Sequence, residues 1–436
     1  MTETDKGARP PLPNRRDVVR AGLGASAAVL FGGALTTGCS GDESGGGRTP
    51  GSQVAGTVAS GFEAVRTAFA TNFMQSGEVG AACCVYLDGR RVVDLWGGKA
   101  DETTGRPWQE DTIVPVFSTT KIATAVCAHL LAEHGELDLD APVARYWPEF
   151  AAEGKRNLPV KWLLSHRAGL PALEKPFSMD SVQAWDPIVA ALAKQRPAWE
   201  PGTAHGYHAR TFGWLIGEVV RRVTGRSLGT FFAEKVAGPL GLDFWIGLPA
   251  EYEPRVGRLI PPQPPAGVDL ESLSPPLRKM LEARSDPNSL SSRALTLPEL
   301  DDNSRAVHAA EIPGHNGIGT ARSLARLCAA LIGQVDGVRL LSPSTVRAAA
   351  RTRSDGPDRV LFVDTRFGLG FMGDSPFSPF GGAGRFGHTG SGGALAFADP
   401  DTGLAFGYVV NRMMPGLLGA DPRQTALIKA VKEATS

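Results

Sequence analysis

Residues 114–127 read VPVFSTTKIATAVC and join an apolar lead-in to an apolar helical pattern. Ser118 and Lys121 are three residues apart, so on a helix that begins near Ser118 the lysine amine can reach the serine hydroxyl. A serine hydroxyl becomes a good nucleophile only when an adjacent base takes its proton. A helix N-terminus adds partial positive charge at the same place. The stretch predicts a nucleophilic serine at the start of a buried helix, although the four-residue spacing alone is too short to be specific.

Tyr207 is the second candidate and lies in residues 201–209, PGTAHGYHA, just before the most regular helical pattern of the chain. Apolar residues recur there with helical spacing at Phe212, Leu215, Ile216, Val219, Val220 and Val223, which predicts a helix that ends at Gly225. A tyrosine close to a lysine is expected to have a lowered pKa, because the cation favours phenolate, and can then shuttle protons. His205 and His208 flank it. The alternative is a tyrosine that merely packs at a helix entrance.

The third candidate is the segment 387–393, GHTGSGG, which leads into a predicted C-terminal hairpin with strands at 394–398 and 404–410. Its glycines would let the backbone approach a ligand closely, and a backbone N–H there can donate to an oxyanion. The alternative is a turn that carries a surface histidine, His388.

A second hairpin is predicted near the N-terminus, where residues 81–87 and 90–95 flank an Asp-Gly turn. Helical patterns at 121–134 and 323–332 lie between the two hairpins, and the proline-rich residues 261–276 are expected to be loop. Strands at both ends with helices between them predict a sheet that the two ends complete, interrupted by a helical insertion. The predicted domains are an α/β domain, 57–125 with 300–436, and a mainly helical domain, 126–299.

Composition narrows the function classes. The chain has 436 residues, 42% of them hydrophobic, with 45 basic and 45 acidic side chains, so no charge imbalance indicates nucleic-acid binding. The five cysteines show no zinc-ligand spacing, so no metal or other cofactor is expected. Cys83 and Cys84 would face opposite sides of a strand, which makes at least one of them a core residue. Disulfides remain open.

The N-terminus has the pattern of an export signal. Arg15 and Arg16 precede an uncharged, small and apolar run from 21 to 38, which resembles the charged and apolar parts of a twin-arginine signal. The run ends in Gly38-Cys39, which is similar to a bacterial lipoprotein cleavage and lipidation site, although Thr36 departs from it. The alternative is a transmembrane anchor, for which the run is short. We expect export, a location in the periplasm or on the outer face of the cytoplasmic membrane, a lipid tether through Cys39, and a flexible linker at 40–56.

The three motifs in this order resemble the superfamily of serine β-lactamases, penicillin-binding proteins and family VIII carboxylesterases. They are Ser118-Thr119-Thr120-Lys121, Tyr207 and His388-Thr389-Gly390, with LSHRAGLP at 164–171 between the first two. The resemblance implies a β-lactamase-like fold, an antiparallel sheet flanked by helices, with the active site between the sheet domain and the helical domain. It implies that Ser118 is the nucleophile and that Lys121 and Tyr207 transfer protons. It also implies that His388, Thr389 and Gly390 line the pocket and that the N–H groups of Ser118 and Ser391 form the oxyanion hole.

Two departures from the family pattern bear on the substrate. Class C β-lactamases have Tyr-x-Asn where this chain has Ala209 at the third position, and the third motif usually opens with a lysine where this chain has His388. A histidine is mostly neutral at pH 7. Both departures disfavour an anionic lactam, and family VIII carboxylesterases resemble this chain better. The prediction is a serine hydrolase of small-molecule esters, with a β-lactamase or D-amino-acid-specific peptidase and a non-catalytic cell-wall or lactam sensor as alternatives.

Overall fold

The computed structural model describes residues 54–262, 273–296, 300–414 and 421–435. Its strands are β1 (Val54–Val58), β2 (Gly80–Leu87), β3 (Arg90–Gly98), β4 (Val114–Pro115), β5 (Phe244–Trp245), β6 (Ile318–Gly319), β7 (Ser354–Pro357), β8 (Asp364–Phe367), β9 (Met372–Gly373), β10 (Phe386–Thr389), β11 (Leu395–Asp399) and β12 (Leu404–Val410). Its α-helices are α1 (Glu63–Gln75), α2 (Thr120–Glu133), α3 (Val160–Leu164), α4 (Met179–Ala184), α5 (Asp186–Lys194), α6 (Thr211–Thr224), α7 (Leu228–Phe232), α8 (Gly238–Leu240), α9 (Pro275–Ser285), α10 (Leu290–Leu295), α11 (Arg305–Ala309), α12 (Ala321–Ile332), α13 (Pro343–Ala350) and α14 (Pro422–Ala434).

Nine strands form one sheet in the order β1-β3-β2-β12-β11-β10-β9-β8-β7, and neighbouring strands are antiparallel. The N-terminal hairpin β2–β3 turns at Asp88 and Gly89, which both have positive φ as a tight primed turn requires. The C-terminal hairpin β11–β12 lies beside it, because β12 pairs with β2. Both predicted hairpins are therefore confirmed, and the two ends of the chain complete one antiparallel sheet.

The sheet is covered on both faces. Cys83 and Cys84 are both fully buried and belong to different hydrophobic clusters, so the strand alternation expected from the sequence places one thiol in each. Helix α12 packs against β12 and β2 on the Cys84 face, while α1 and α14 pack together over the other. The cysteines in the described ranges are free, and Cys39 lies outside those ranges.

Helices predominate between β4 and β6, as the insertion prediction expects. The amphipathic helix α6 ends where Gly225 adopts a left-handed conformation, which confirms the predicted stop. The predicted domain boundary at 125/126 falls inside α2, so this helix runs from the candidate nucleophile into the helical part. A small sheet, β4-β6-β5, joins that part to the segment before Ser118.

Two boundaries differ from the prediction. The fold begins at Val54, because residues 54–56 of the expected linker pair with β3 as part of edge strand β1. The expected loop at 261–276 lies mostly outside the described residues, but Pro275 starts helix α9, since proline is well tolerated in a first helical turn. The predicted export signal, Cys39 and the rest of the predicted linker also lie outside the described residues. Within the described ranges, no helix is long and apolar enough to cross a membrane.

Candidate active site

Ser118 lies at the entrance of α2, as predicted. A short 3-10 turn, Phe117–Thr119, leads directly into the helix, and Phe117 has a φ of 50°, a conformation that costs a bulky residue energy. Ser118 is only partly exposed and lines a cavity of about 380 Å³. The turn therefore presents the serine side chain to a cleft while its neighbours remain in the core.

Lys121 is fully buried, and its amine nitrogen Nζ has three neighbours. The distance from Nζ to Ser118 Oγ is 3.1 Å, and the distances to the carbonyl oxygens of Ala209 and Gly314 are each 2.7 Å. Burial lowers the pKa of Lys121 well below its usual value, and the charge of Arg210 lowers it further. A neutral amine has two hydrogens for the two carbonyls and one lone pair for the Ser118 hydroxyl, so this geometry suits a base.

Tyr207 is also brought to the serine, but its pKa differs from the prediction. Its hydroxyl is hydrogen-bonded to Ser118, and Lys121 Nζ lies 4.9 Å from the centroid of its ring. Burial raises the pKa of Tyr207 above its ordinary value and outweighs the hydrogen bond to Ser118. The expectation of a lowered pKa for Tyr207 is wrong. The neighbouring amine of Lys121 is itself held towards its neutral form, so it does not favour a phenolate. Tyr207 is thus a neutral phenol that can donate a proton.

The loop that carries Tyr207 is held by buried polar groups. Asp358 accepts a hydrogen bond from the Tyr207 backbone N–H at 3.1 Å, and the ring of His166 lies 5.1 Å from the tyrosine ring. The N–H of His208 donates to His166 Nδ1 at 3.2 Å, and the His205 side chain contacts Thr365 at 3.0 Å. The flanking histidines therefore support the loop, and none of them is among the residues that line the cavity.

Two neighbouring residues of the third motif, His388 and Thr389, face opposite sides of strand β10. Thr389, Gly390 and Ser391 line the cavity with Ser118 and Tyr207. His388 does not, which corrects the prediction that it lines the pocket. It is buried behind the cavity wall with its ring 6.0 Å from the Tyr207 ring, because adjacent residues of a strand face opposite sides. Burial is the main cause that lowers the pKa of His388 to about 3, so its imidazole is neutral at pH 7.

Gly390 allows the third motif to touch the first. A Cβ atom added at Gly390 would lie 2.3 Å from the carbonyl oxygen of Val116 and 2.9 Å from Thr119 Oγ1. The Thr119 hydroxyl also donates to the backbone carbonyl of His388 at 3.5 Å. Only glycine fits this approach, which places β10 directly against the turn that carries the nucleophile.

The N–H groups of Ser118 and Ser391 are available to an oxyanion. Each residue lies in the first turn of a 3-10 helix, where backbone N–H groups lack an acceptor within the helix. Neither N–H donates to another backbone carbonyl in the described ranges. Two side chains hold the turn after Ser391 in place. The fully buried Arg423 donates a hydrogen bond to Gly392 O, and Gln424 donates one to Gly393 O, each at 2.9 Å.

Five further charged or titratable residues of the described ranges line the cavity and were missed by the sequence reasoning: Arg210, Arg284, Asp302, His315 and Asp421. His315 Nε2 lies 2.7 Å from Asp302 Oδ1, and its ring packs edge-on against Phe117 at 5.2 Å. Burial and the charge of Arg210 lower the pKa of His315 to about 4. Arg210 directly follows Ala209 and could have been found by extending the second motif by one residue. The other four lie far away in the sequence and carry no local signal.

Comparison with known proteins agrees with this geometry. A β-lactamase family model matches residues 66–430. The esterase/β-lactamase LipL of Mycobacterium tuberculosis (strain H37Rv) is 38% identical over 387 residues, which span 85% of this chain and 86% of the relative.

Solved structures support the same assignment. The crystal structure of a family VIII carboxylesterase has a TM-score of 0.78 and 39% identity, and the match covers 88% of this chain and all of the other. EstA from Arthrobacter nitroguajacolicus Rue61a has a TM-score of 0.77 and 34% identity, over 87% of this chain and 98% of the other. The chain therefore belongs to the β-lactamase family and has the fold that its sequence motifs predicted.

Proposed function

We propose that this protein hydrolyses carboxylic esters through an acyl-enzyme on Ser118. The observation that carries the proposal is the environment of Lys121, whose two shortest contacts are backbone carbonyls and whose third neighbour is Ser118 Oγ. The carbonyls of Ala209 and Gly314 use the two hydrogens of the neutral amine. The remaining lone pair can then accept the Ser118 proton, which is what a weak serine nucleophile needs.

In the first step, Ser118 Oγ attacks the ester carbonyl while its proton passes to Lys121. The carbonyl oxygen becomes an oxyanion, which the N–H groups of Ser118 and Ser391 are placed to receive from one side of the cavity. Such donors are worth about 3 kcal/mol each when they are aimed at the developing charge.

In the second step, the tetrahedral intermediate collapses and the alkoxide leaves. Tyr207 is a neutral phenol whose hydroxyl interacts with Ser118, so it can donate its proton to the departing oxygen. Once Lys121 has become positively charged, that charge favours the phenolate, and the lysine proton restores Tyr207. A water molecule then attacks the acyl-enzyme by the same route and releases the acid and free Ser118.

Esters are favoured over β-lactams by two features of the cleft. The third position of the second motif is Ala209, whose side chain offers no amide to a β-lactam's acylamino group. The first position of the third motif is His388, which is neutral and buried behind the cavity wall. The family VIII carboxylesterase and EstA, both over 30% identical to this chain, support the same choice.

The test compares p-nitrophenyl acetate, p-nitrophenyl octanoate and a chromogenic cephalosporin as substrates of the wild type, Ser118→Ala and Ser344→Ala. Ser344 is an exposed serine outside the cavity and controls for loss of a hydroxyl. Ester turnover that disappears only in Ser118→Ala supports the proposal. Cephalosporin turnover at a comparable rate would indicate a β-lactamase or a D-amino-acid-specific peptidase, and a trapped acyl group without turnover would indicate a sensor.

We also propose that the protein is exported and tethered by lipid on Cys39. The support is the sequence alone: the arginine pair, the apolar run after it and the Gly38-Cys39 pair. In a bacterial host, replacing Arg15 and Arg16 by lysines should retain the protein in the cytoplasm. Cys39→Ala should release exported protein from the membrane fraction. Unchanged fractionation of both variants would contradict the proposal.

A further inference from the structure

The charges that line the catalytic cavity are not evenly paired. Asp302 and Arg210 attract each other electrostatically, and Asp302 also accepts a hydrogen bond from the neutral His315. Asp421 is paired with Arg423 at 2.7 Å. Both carboxylates that line the cavity in the described part of the chain therefore already have a cationic partner.

Among the described residues, Arg284 has no partner of this kind. It projects from α9, is partly buried and lines the same cavity as Ser118. No carboxylate in the described ranges forms an ion pair with it, and its buried Nη1 has no hydrogen-bond partner there. Burial lowers the pKa of Arg284 with no opposing carboxylate, yet a guanidinium remains charged at any pH of interest. No charge among the described residues therefore compensates the positive charge of Arg284 in the cavity.

Arg210 adds a second guanidinium to the cavity wall. Its Nη1 is likewise buried without a hydrogen-bond partner in the described part of the chain. An unsatisfied buried donor is expensive, and the cost is greater for a charged group. A ligand oxyanion that accepts hydrogen bonds from these donors would recover that cost, and a planar carboxylate fits a guanidinium fork best.

Another part of the cavity wall is apolar and includes Leu295, Leu361, Met372, Phe377, Pro379 and Met413. A polar ligand without an apolar part would leave this surface in contact with water. The combination suits a molecule that carries both a hydrocarbon portion and an anionic group.

We infer that the preferred substrates are esters that bear a free carboxylate in their acyl or alcohol part, bound by Arg284 with support from Arg210. This inference rests on the proposed ester hydrolysis at Ser118 and narrows its substrate class. It also changes the expectation, drawn from the sequence motifs, that the cavity offers no positive charge to an anionic substrate. His388 supplies no cation, but two arginines from outside the three motifs supply it instead.

The experiment uses two matched substrate pairs. Mono-p-nitrophenyl adipate and p-nitrophenyl hexanoate differ by a carboxylate in the acyl part, and 4-carboxyphenyl acetate and its methyl ester differ by one in the alcohol part. The ratio of kcat/KM for the anionic and neutral members is measured for the wild type, Arg284→Gln, Arg284→Lys and Lys279→Gln. Lys279 is an exposed cation on the same helix that does not line the cavity, so its variant controls for net charge.

We expect Arg284→Gln to lower the anionic-to-neutral ratio by about tenfold or more in at least one pair, as for the loss of one charge-assisted hydrogen bond. Arg284→Lys should retain part of the ratio, and Lys279→Gln should leave it unchanged. Unchanged ratios for Arg284→Gln in both pairs, or an equal loss in Lys279→Gln, would overturn the inference. Hydrolysis of the neutral esters and its dependence on Ser118 report separately on the proposed function.

Discussion

The amine nitrogen of Lys121 lies 2.7 Å from the carbonyl oxygen of Ala209, so the first and second sequence motifs meet through a backbone group. The side chain at the third position of the second motif is a methyl group, yet the main chain of that position still orients the base. This contact fixes the direction in which the lone pair of a neutral Lys121 can point, which is towards Ser118 Oγ at 3.1 Å. Loss of the amine should therefore abolish catalysis rather than weaken binding.

Lys121→Met keeps an unbranched side chain of similar size and removes the base. We expect kcat for p-nitrophenyl acetate to fall by about a thousandfold, within the usual range for loss of general-base catalysis. Lys279→Met, an exposed lysine outside the cavity, should retain wild-type kcat. Retention of more than about a tenth of wild-type kcat in Lys121→Met would show that another group takes the serine proton.

The pH dependence should depend on Arg210. Lys121 must be neutral to accept a proton, so kcat/KM should rise with pH through the pKa of Lys121. Burial is the larger cause of its lowered pKa, and the positive charge of Arg210 is the second. Arg210→Met removes that charge, so the pKa of Lys121 should rise and the acidic limb of the profile should move to higher pH. The profile is measured with a neutral ester, and an unmoved limb would contradict the assignment of Lys121 as the base.

Gly390→Ala should push strand β10 and Gly390 away from the turn that carries Ser118. The added Cβ would lie 2.3 Å from Val116 O, so β10 or the serine turn must shift. We expect kcat to fall by about a hundredfold, because oxyanion donors must be placed accurately, and the free energy of unfolding to fall by about 1–3 kcal/mol. Gly333→Ala is the control, since its Cβ would meet its nearest neighbour at an ordinary 3.7 Å. Equal effects of the two substitutions would argue against a special role for Gly390.

The stability of the buried side chains that hold the turn after Ser391 should depend on pH. Glu78 is buried beside Arg423 and accepts a hydrogen bond from Tyr408, and burial raises the pKa of Glu78 to about 7 from an ordinary 4.5. Its folded-state pKa is the higher one, so the stability it contributes is complete below pH 4.5 and is lost as the pH rises through 7.

Chemical denaturation at several pH values tests this. We expect the free energy of unfolding of the wild type to decline between about pH 4.5 and pH 7 relative to Glu78→Gln, which cannot titrate. Glu433→Gln, an exposed site on α14, serves as the control. Parallel curves for the wild type and Glu78→Gln would refute the raised pKa.

Much of the fold could be predicted from local patterns. The Asp88-Gly89 turn and the alternation around Cys83 and Cys84 determine a hairpin, and the apolar period of α6 determines a helix, because each depends on residues close in sequence. That both ends of the chain complete one sheet followed from the strands predicted at each end. The order of the strands did not follow, since the pairing of β2 with β12 at the centre of the sheet joins segments hundreds of residues apart.

In the site as well, some features follow from local sequence and others depend on the whole fold. Ser118 and Lys121 share one helix turn, so spacing predicts their contact. The pKa of Tyr207 was predicted in the wrong direction, because burial outweighs a neighbouring amine and burial is a property of the whole fold. Arg284 was missed since nothing near it in the sequence relates α9 to the nucleophile.

The most direct test of the central claim is to treat the protein with an alkyl p-nitrophenyl phosphonate, which forms a stable adduct with an activated serine. The account predicts release of one equivalent of p-nitrophenol, complete loss of ester turnover, and a mass increase confined to the peptide that carries Ser118. Turnover that persists after labelling, or an adduct on a different residue, would contradict it.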